Sequence, residues 1–178
     1  MSSIISVSAA PPRRLSTVLA VMCSALIIVH VGLSIAIPAL MPTVMTEGLG
    51  LSAPADGFTM GQRIIIVITS LVPTVFAVYA LLCARRCFRS FVQGEYFTPA
   101  VVGSLRGVAG GIVLWVLAGW LTTPLSNLLL TLGEEEVHVS VRFSTSGALT
   151  LLFAGIIWQI AHIMTRAAAL AEENAQFV

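Results

Sequence analysis

His30 and His162 both fall inside apolar stretches, where an ionisable side chain is costly and by default a candidate for function. Imidazole is the commonest metal ligand, so a shared metal or haem site is the first chemistry to test. Counted inward from Leu15, His30 lies roughly 22 Å deep at 1.5 Å per residue, while His162 lies roughly 6 Å from the inner end of its own stretch. Those depths do not meet in one site, and histidines hydrogen-bonded between helices are the better account. Cys83 and Cys87 share a helix face, but two thiols without further ligands make an incomplete zinc site, and packing or weak redox sensitivity explains them. His138 with Glu134, Glu135 and Glu136 offers imidazole and carboxylates to a divalent cation. Three consecutive glutamates cannot converge on one ion, so a solvated charge run is the simpler reading.

Catalytic and phosphate-binding signatures are missing from the chain: there is no Walker A loop, HExxH, nucleophile elbow or dinucleotide fingerprint. Lysine is absent altogether, which removes Schiff-base and general-base lysine chemistry. A transport path would have to use His30, Asn127, Gln159 and His162 with scattered hydroxyls, because the apolar stretches contain no Asp, Glu, Lys or Arg between their end arginines. A proton-coupled carrier ordinarily shows an intramembrane acid. The expectation is a non-enzymatic protein with no cofactor and no metal.

The elements that position these residues follow from composition. Hydrophobic residues make up 57% of the 178, charged residues only 10%, and mean hydropathy is +0.99, where soluble proteins carry about a quarter charged residues. Lipid is the solvent that tolerates such a surface. The net charge of +1 is segregated by loop and forms no basic stripe, so direct nucleic-acid binding is not expected. The sequence predicts an all-α membrane protein of four transmembrane helices in a bundle, as one domain: spans at about 15–40, 64–84, 101–130 and 147–165. Cleavage of the first span as a signal peptide is the rival reading. Its apolar run is longer than the roughly 7 to 15 residues of a signal core, which favours retention.

Residues 1–12 read as a loose tail and residues 41–62 as a loop, with Pro38 and Pro42 ending the first helix. Pro73 is expected to kink the second span, with Thr69 or Ser70 hydroxyls free to meet the backbone groups it releases. Val137, Val139, Val141 and Phe143 alternate with polar residues as in a short strand. Residues 166–178 form a weakly amphipathic tail that continues the last helix, either as a solvated end or as a grip for a soluble partner.

Orientation follows from arginine, since cytoplasmic loops hold the excess of positive charge. With both termini inside, Arg13, Arg14, Arg85, Arg86, Arg89, Arg106 and Arg166 are cytoplasmic, and only Arg63 and Arg142 lie outside. Between the second and third spans, Phe88, Phe91, Tyr96 and Phe97 lie among these arginines, a mixture suited to a short interfacial helix ended by Gly94. The same surface could dock a cytoplasmic protein. Thr98 then reads as an N-cap and Pro99 as the first helical residue. Gly103, Gly107 and Gly111 recur every fourth residue, a smooth face for close packing against another span or a second copy.

Phe88, Phe91, Gly94, Phe97-Thr98 and Leu105-Arg106-Gly107, followed by Arg166, Leu170, Glu172-Glu173-Asn174 and Val178, resemble a bacterial family of four-helix membrane proteins, domain of unknown function 2975. The likeness covers most of the chain, with the arginine-rich connection and the tail its distinctive parts. Members are commonly encoded beside a small helix-turn-helix regulator. The resemblance thus implies a bacterial inner-membrane protein that partners a cytoplasmic transcription factor, and it supplies no catalytic residues. A small transporter or channel component working as a homo-oligomer is the alternative.

Topology reporters fused at Arg14, Gly94 and Val178 are expected to report the cytoplasm, and those at Gly50 and Glu135 the opposite side. An external report at Gly94 overturns the arginine count.

Overall fold

Each apolar stretch forms one long helix. The computed structural model describes residues 13–41, 44, 59–130 and 144–175, and its helices are α1 (Arg13–Leu40), α2 (Met60–Gln93), α3 (Pro99–Leu130) and α4 (Thr145–Ala175). All four are long and apolar enough to cross a membrane. Leu15, Ile28, Val75, Leu121, Leu152 and Phe153 are among the many large apolar side chains left exposed, the inverse of a water-soluble surface. The predicted loop at 41–62, apart from its ends, and the strand pattern at 137–143 lie outside the described residues, as do the N-terminal tail and the last three residues.

Helix ends are fixed by local chemistry. Thr59 caps α2 through a capping box: its Oγ1 accepts from Gln62 N at 3.3 Å, and its own N donates to Gln62 Oε1 at 3.0 Å. This Thr-x-x-Gln signature places the start four residues before the expected span. At the other end Gly94 takes φ 87°; its N–H donates to Phe91 O at 3.1 Å and the Glu95 N–H to Ser90 O at 3.0 Å. That is a Schellman motif, which glycine alone enters without a steric penalty. Thr98 then caps α3 with a long 3.4 Å contact from Val101 N to its Oγ1, and Pro99 opens the helix. Ser144 caps α4, accepting from Gly147 N at 3.0 Å.

The separate interfacial helix expected between the second and third spans is not seen. Residues 85–93 continue α2 without a break, because nothing before Gly94 interrupts the hydrogen-bond ladder. At 34 residues α2 is roughly 50 Å long, against about 30 Å of hydrocarbon, so its arginine-bearing turns extend past the apolar core. Phe91 bridges the chain reversal, meeting Phe88 edge-on at 6.4 Å and stacking on Tyr96 at 5.6 Å.

Substantial contact runs between sequence neighbours: α1 on α2, α2 on α3, α3 on α4. The pairings are antiparallel. Ser34 meets Ser70 and Thr74, Gly107 meets Cys83 and Gly111 meets Ala80, while Arg106 Nη2 donates to Thr165 Oγ1 at 3.3 Å. The start of α1, the end of α2, the start of α3 and the Arg166 region of α4 consequently share one end of the molecule.

The face of α2 toward its neighbours is a seam of alternating three- and four-residue steps: Ile66, Thr69, Pro73, Phe76, Ala80, Cys83 and Cys87. Its upper half is small, and α3 meets it there with Gly107 and Gly111. A Cβ on Gly111 would stand 2.8 Å from Ala80 Cβ and 3.0 Å from Ala80 Cα and N, and one on Gly107 2.6 Å from Cys83 Sγ. A Cβ on Gly103 would meet nothing within 4 Å, and the residue is exposed. The expected three-glycine face is used at two of its positions within the chain.

Gly111→Ala is expected to lower stability in detergent by about 1–3 kcal/mol, because Ala80 backbone cannot yield. Gly103→Ala is expected to be neutral or slightly stabilising, by up to about 1 kcal/mol from helix propensity. Combining Gly111→Ala with Ala80→Gly should recover only part of the loss, since two of the three close atoms are backbone. Thermal unfolding of the purified variants checks all three.

Candidate functional site

Below the glycine contacts, toward Arg63, the side chains of α3 become larger. The next residue of the four-residue series on α3 is Trp115, and beyond it a cavity of about 490 Å³ opens between α1, α2 and α3. Its size falls within the range of small-molecule sites, about 300–1,000 Å³. The wall is unusual for a membrane interior in its hydroxyls: Ser34 from α1, Thr69, Ser70 and Thr74 from α2, and Thr122, Thr123 and Ser126 from α3. His30 completes it on the α1 side.

A proline explains one of these hydroxyls, that of Ser70. Pro38 lies inside α1, fully buried, rather than ending it. Lacking an N–H, it leaves the Ser34 carbonyl without its helical partner. Ser70 Oγ of α2 reaches across to that carbonyl at 3.1 Å, while also lying 2.8 Å from Val67 O. Thr74 Oγ1 adds a second bridge to Ser34 Oγ at 2.9 Å, and Ser34 Oγ in turn donates to His30 O at 2.7 Å. A proline is tolerated inside a membrane helix where the released carbonyl can be met again, and a neighbouring helix is one way to meet it. Here α2 does so, and α1 continues to Leu40.

Pro73 releases the Thr69 carbonyl by the same logic. The hydroxyls expected to meet it bond elsewhere: Thr69 Oγ1 to Ile65 O at 2.8 Å and Ile66 O at 3.1 Å, and Ser70 Oγ as above. Thr122 and Thr123 also turn back on their own helix, to Ala118 O at 2.8 Å and Gly119 O at 3.2 Å. Each hydroxyl has one proton, and these bonds use it. What the wall offers a ligand is therefore mainly lone pairs. His30 supplies the contrast: its Nε2 is buried and has no hydrogen-bond partner among the described residues. An unmet buried polar atom costs about 1–3 kcal/mol, a cost that a partner brought within reach of the ring would relieve.

The other intramembrane polar residues are dispersed. Asn127 is buried on α3 beside Ser126, outside the cavity lining. Gln159 is exposed on α4, and His162 is half-buried there. The cavity walls come from α1, α2 and α3, so His30 and His162 do not share this site. Among the described residues, no three His, Cys, Asp or Glu side chains come together in a metal-sized group.

No family model matches the chain, and neither does any curated protein or solved structure. The site's chemistry stands on its own residues. Sequence reading picked out His30 but passed over Ser34, Thr122, Thr123 and Ser126. The signal was Ser34 standing four residues before Pro38: a hydroxyl residue whose carbonyl a proline releases.

A double-mutant cycle tests the proline account. Ser70→Ala is expected to destabilise the protein by about 1 kcal/mol, the scale of polar contacts between membrane helices. In a Pro38→Ala background the amide at position 38 again serves the Ser34 carbonyl, and Ser70→Ala should cost measurably less. Equal costs in the two backgrounds overturn the coupling.

Proposed function

We propose that the chain is a multi-pass protein of a bacterial inner membrane, with both termini in the cytoplasm, that acts by binding rather than by catalysis. It takes a small, largely apolar ligand into the hydroxyl-lined cavity and relays occupancy to a cytoplasmic regulatory protein at its arginine-bearing end. The observation that carries this reading is the cavity: a ligand-sized space at the α1–α2–α3 junction, lined by seven hydroxyl side chains and by His30.

The relay is mechanical. Thr69, Ser70, Pro73 and Thr74 line the cavity, and the same α2 carries Arg85, Arg86 and Arg89. From Pro73 to Arg85 is roughly 18 Å along the helix axis. A ligand that parts α1 from α2 at Ser34 competes with the Ser70 and Thr74 bridges, and so favours a different tilt of the arginine turns. Only such a difference in affinity between two arrangements lets a ligand shift their populations. The turns at 85–93 would lie in the headgroup layer, where guanidinium and aromatic groups are at home. A helix-turn-helix regulator as the partner rests on the family resemblance alone.

Photocrosslinkers placed at Gln93 and Glu95 in cells are expected to capture a DNA-binding regulator. Filling the cavity with Thr123→Trp should change the yield at least about threefold while leaving the protein in the membrane, a shift that needs under 1 kcal/mol of coupling. An unchanged yield sinks the relay. Solute flux through reconstituted vesicles that is lost on His30→Ala would instead establish the transporter alternative.

A further inference from the structure

A second gap opens at the arginine end, between the first turns of α1 and the last turns of α2, with a volume of about 370 Å³. On the α1 side its wall is small and uncharged, with Thr17, Ala20 and Ser24 on one face; on the α2 side it carries Arg85, Arg89 and Gln93. Arg85 and Arg89 are four residues apart on a helix, so two positive charges stand side by side, an arrangement that is destabilising by itself. Arg85 is half-buried, which sharpens the repulsion. Among the described residues no carboxylate pairs with either guanidinium. Residues 1–12, which lead into α1, contain no acid in their sequence, and Glu172 and Glu173 belong to α4, which packs on α3.

We infer that this gap is a binding site for the phosphate group of an anionic phospholipid. Two guanidinium forks present paired N–H donors that match phosphate oxygens, and the Gln93 side-chain amide adds a donor at the rim. The single proton of the Ser24 hydroxyl goes to Ala20 O at 3.1 Å, leaving the arginines as the principal donors. The gap lies where an α2 of this length leaves the hydrocarbon, and it adjoins the exposed apolar flank of α1, along which an acyl chain can lie. Specificity follows from charge. Arg14, Arg85, Arg86, Arg89, Arg106 and Arg166 crowd this end, so a headgroup carrying an ammonium is repelled and one carrying only the phosphate charge is retained.

The test uses the full chain in detergent micelles, titrated separately with phosphatidylglycerol, phosphatidylcholine and inorganic phosphate, and read by thermal unfolding and by mass spectrometry of intact complexes. Wild-type protein is expected to bind phosphatidylglycerol in preference to phosphatidylcholine. Arg85→Gln/Arg89→Gln should lose that preference, with phosphatidylglycerol affinity falling about tenfold or more, the scale of two charge-assisted contacts. Arg86→Gln/Arg106→Gln removes the same charge from the same end and should keep it. An unchanged unfolding temperature in phosphatidylcholine identifies each variant as folded; should the double glutamine variant unfold early, Arg89→Gln alone is read instead. Equal preference in wild type and both variants, or equal loss in both variants, overturns the site. An equal stabilisation by inorganic phosphate alone overturns the lipid as its source.

Discussion

A backbone carbonyl released inside a membrane has no water to turn to, and the α1–α2 contact follows from how one such group is met. Pro38 releases the Ser34 carbonyl, and the hydroxyl that meets it belongs to another helix. One bond thereby fixes both the continuity of α1 and its position against α2. Thr74 reinforces it through Ser34 Oγ, so the α1–α2 contact is set by a few polar atoms among otherwise interchangeable aliphatic side chains. In hydrocarbon, where burying a leucine against another helix gains little over burying it in lipid, such atoms decide which faces meet.

The α2–α3 contact uses the opposite device. Gly107 and Gly111 let the backbones approach until Cys83 and Ala80 fill the space a side chain would need. Close approach at one level and a bulky residue at the next cannot give a uniform interface. Trp115 follows Gly111 by one turn, is exposed rather than packed between the backbones, and lines the cavity. The cavity thus lies one turn beyond the glycine contact, and the hydroxyls of three helices supply its polarity.

Four apolar runs, the capping of α3 by Thr98 and Pro99, and the gathering of arginines near span ends were all legible in the residues, because each is a local or compositional property. Pairing between helices was not. Apolar sequence is nearly alike on every side of a membrane helix, so periodicity carries little information about which face meets which neighbour. The glycine series illustrates the limit: its spacing is regular across Gly103, Gly107 and Gly111, yet Gly103 faces open space although Cys87 continues the small seam of α2. The break before Gly94 was placed in the right loop but given one helix too many. The charged residues from Arg85 onward do not interrupt α2, because a helix ladder is indifferent to a charged side chain that can reach outward from its end.

The placement of α4 bears on what one chain can do alone. It packs on α3 through small residues, Ala154 and Ala161, with Arg106 tied to Thr165 at one end and Gly147 against Trp120 at the other. That contact leaves Gln159 exposed, while the hydroxyl cavity lies on the α1–α2–α3 side. A polar route running from His30 to Gln159 would therefore need a second copy to bring its own α4, or another surface, to the cavity mouth. Binding needs no such addition, since residues of α1, α2 and α3 of one chain already line the cavity. The same asymmetry separates the two readings physically: transport should depend on protein density in the bilayer, and ligand binding at the cavity should not.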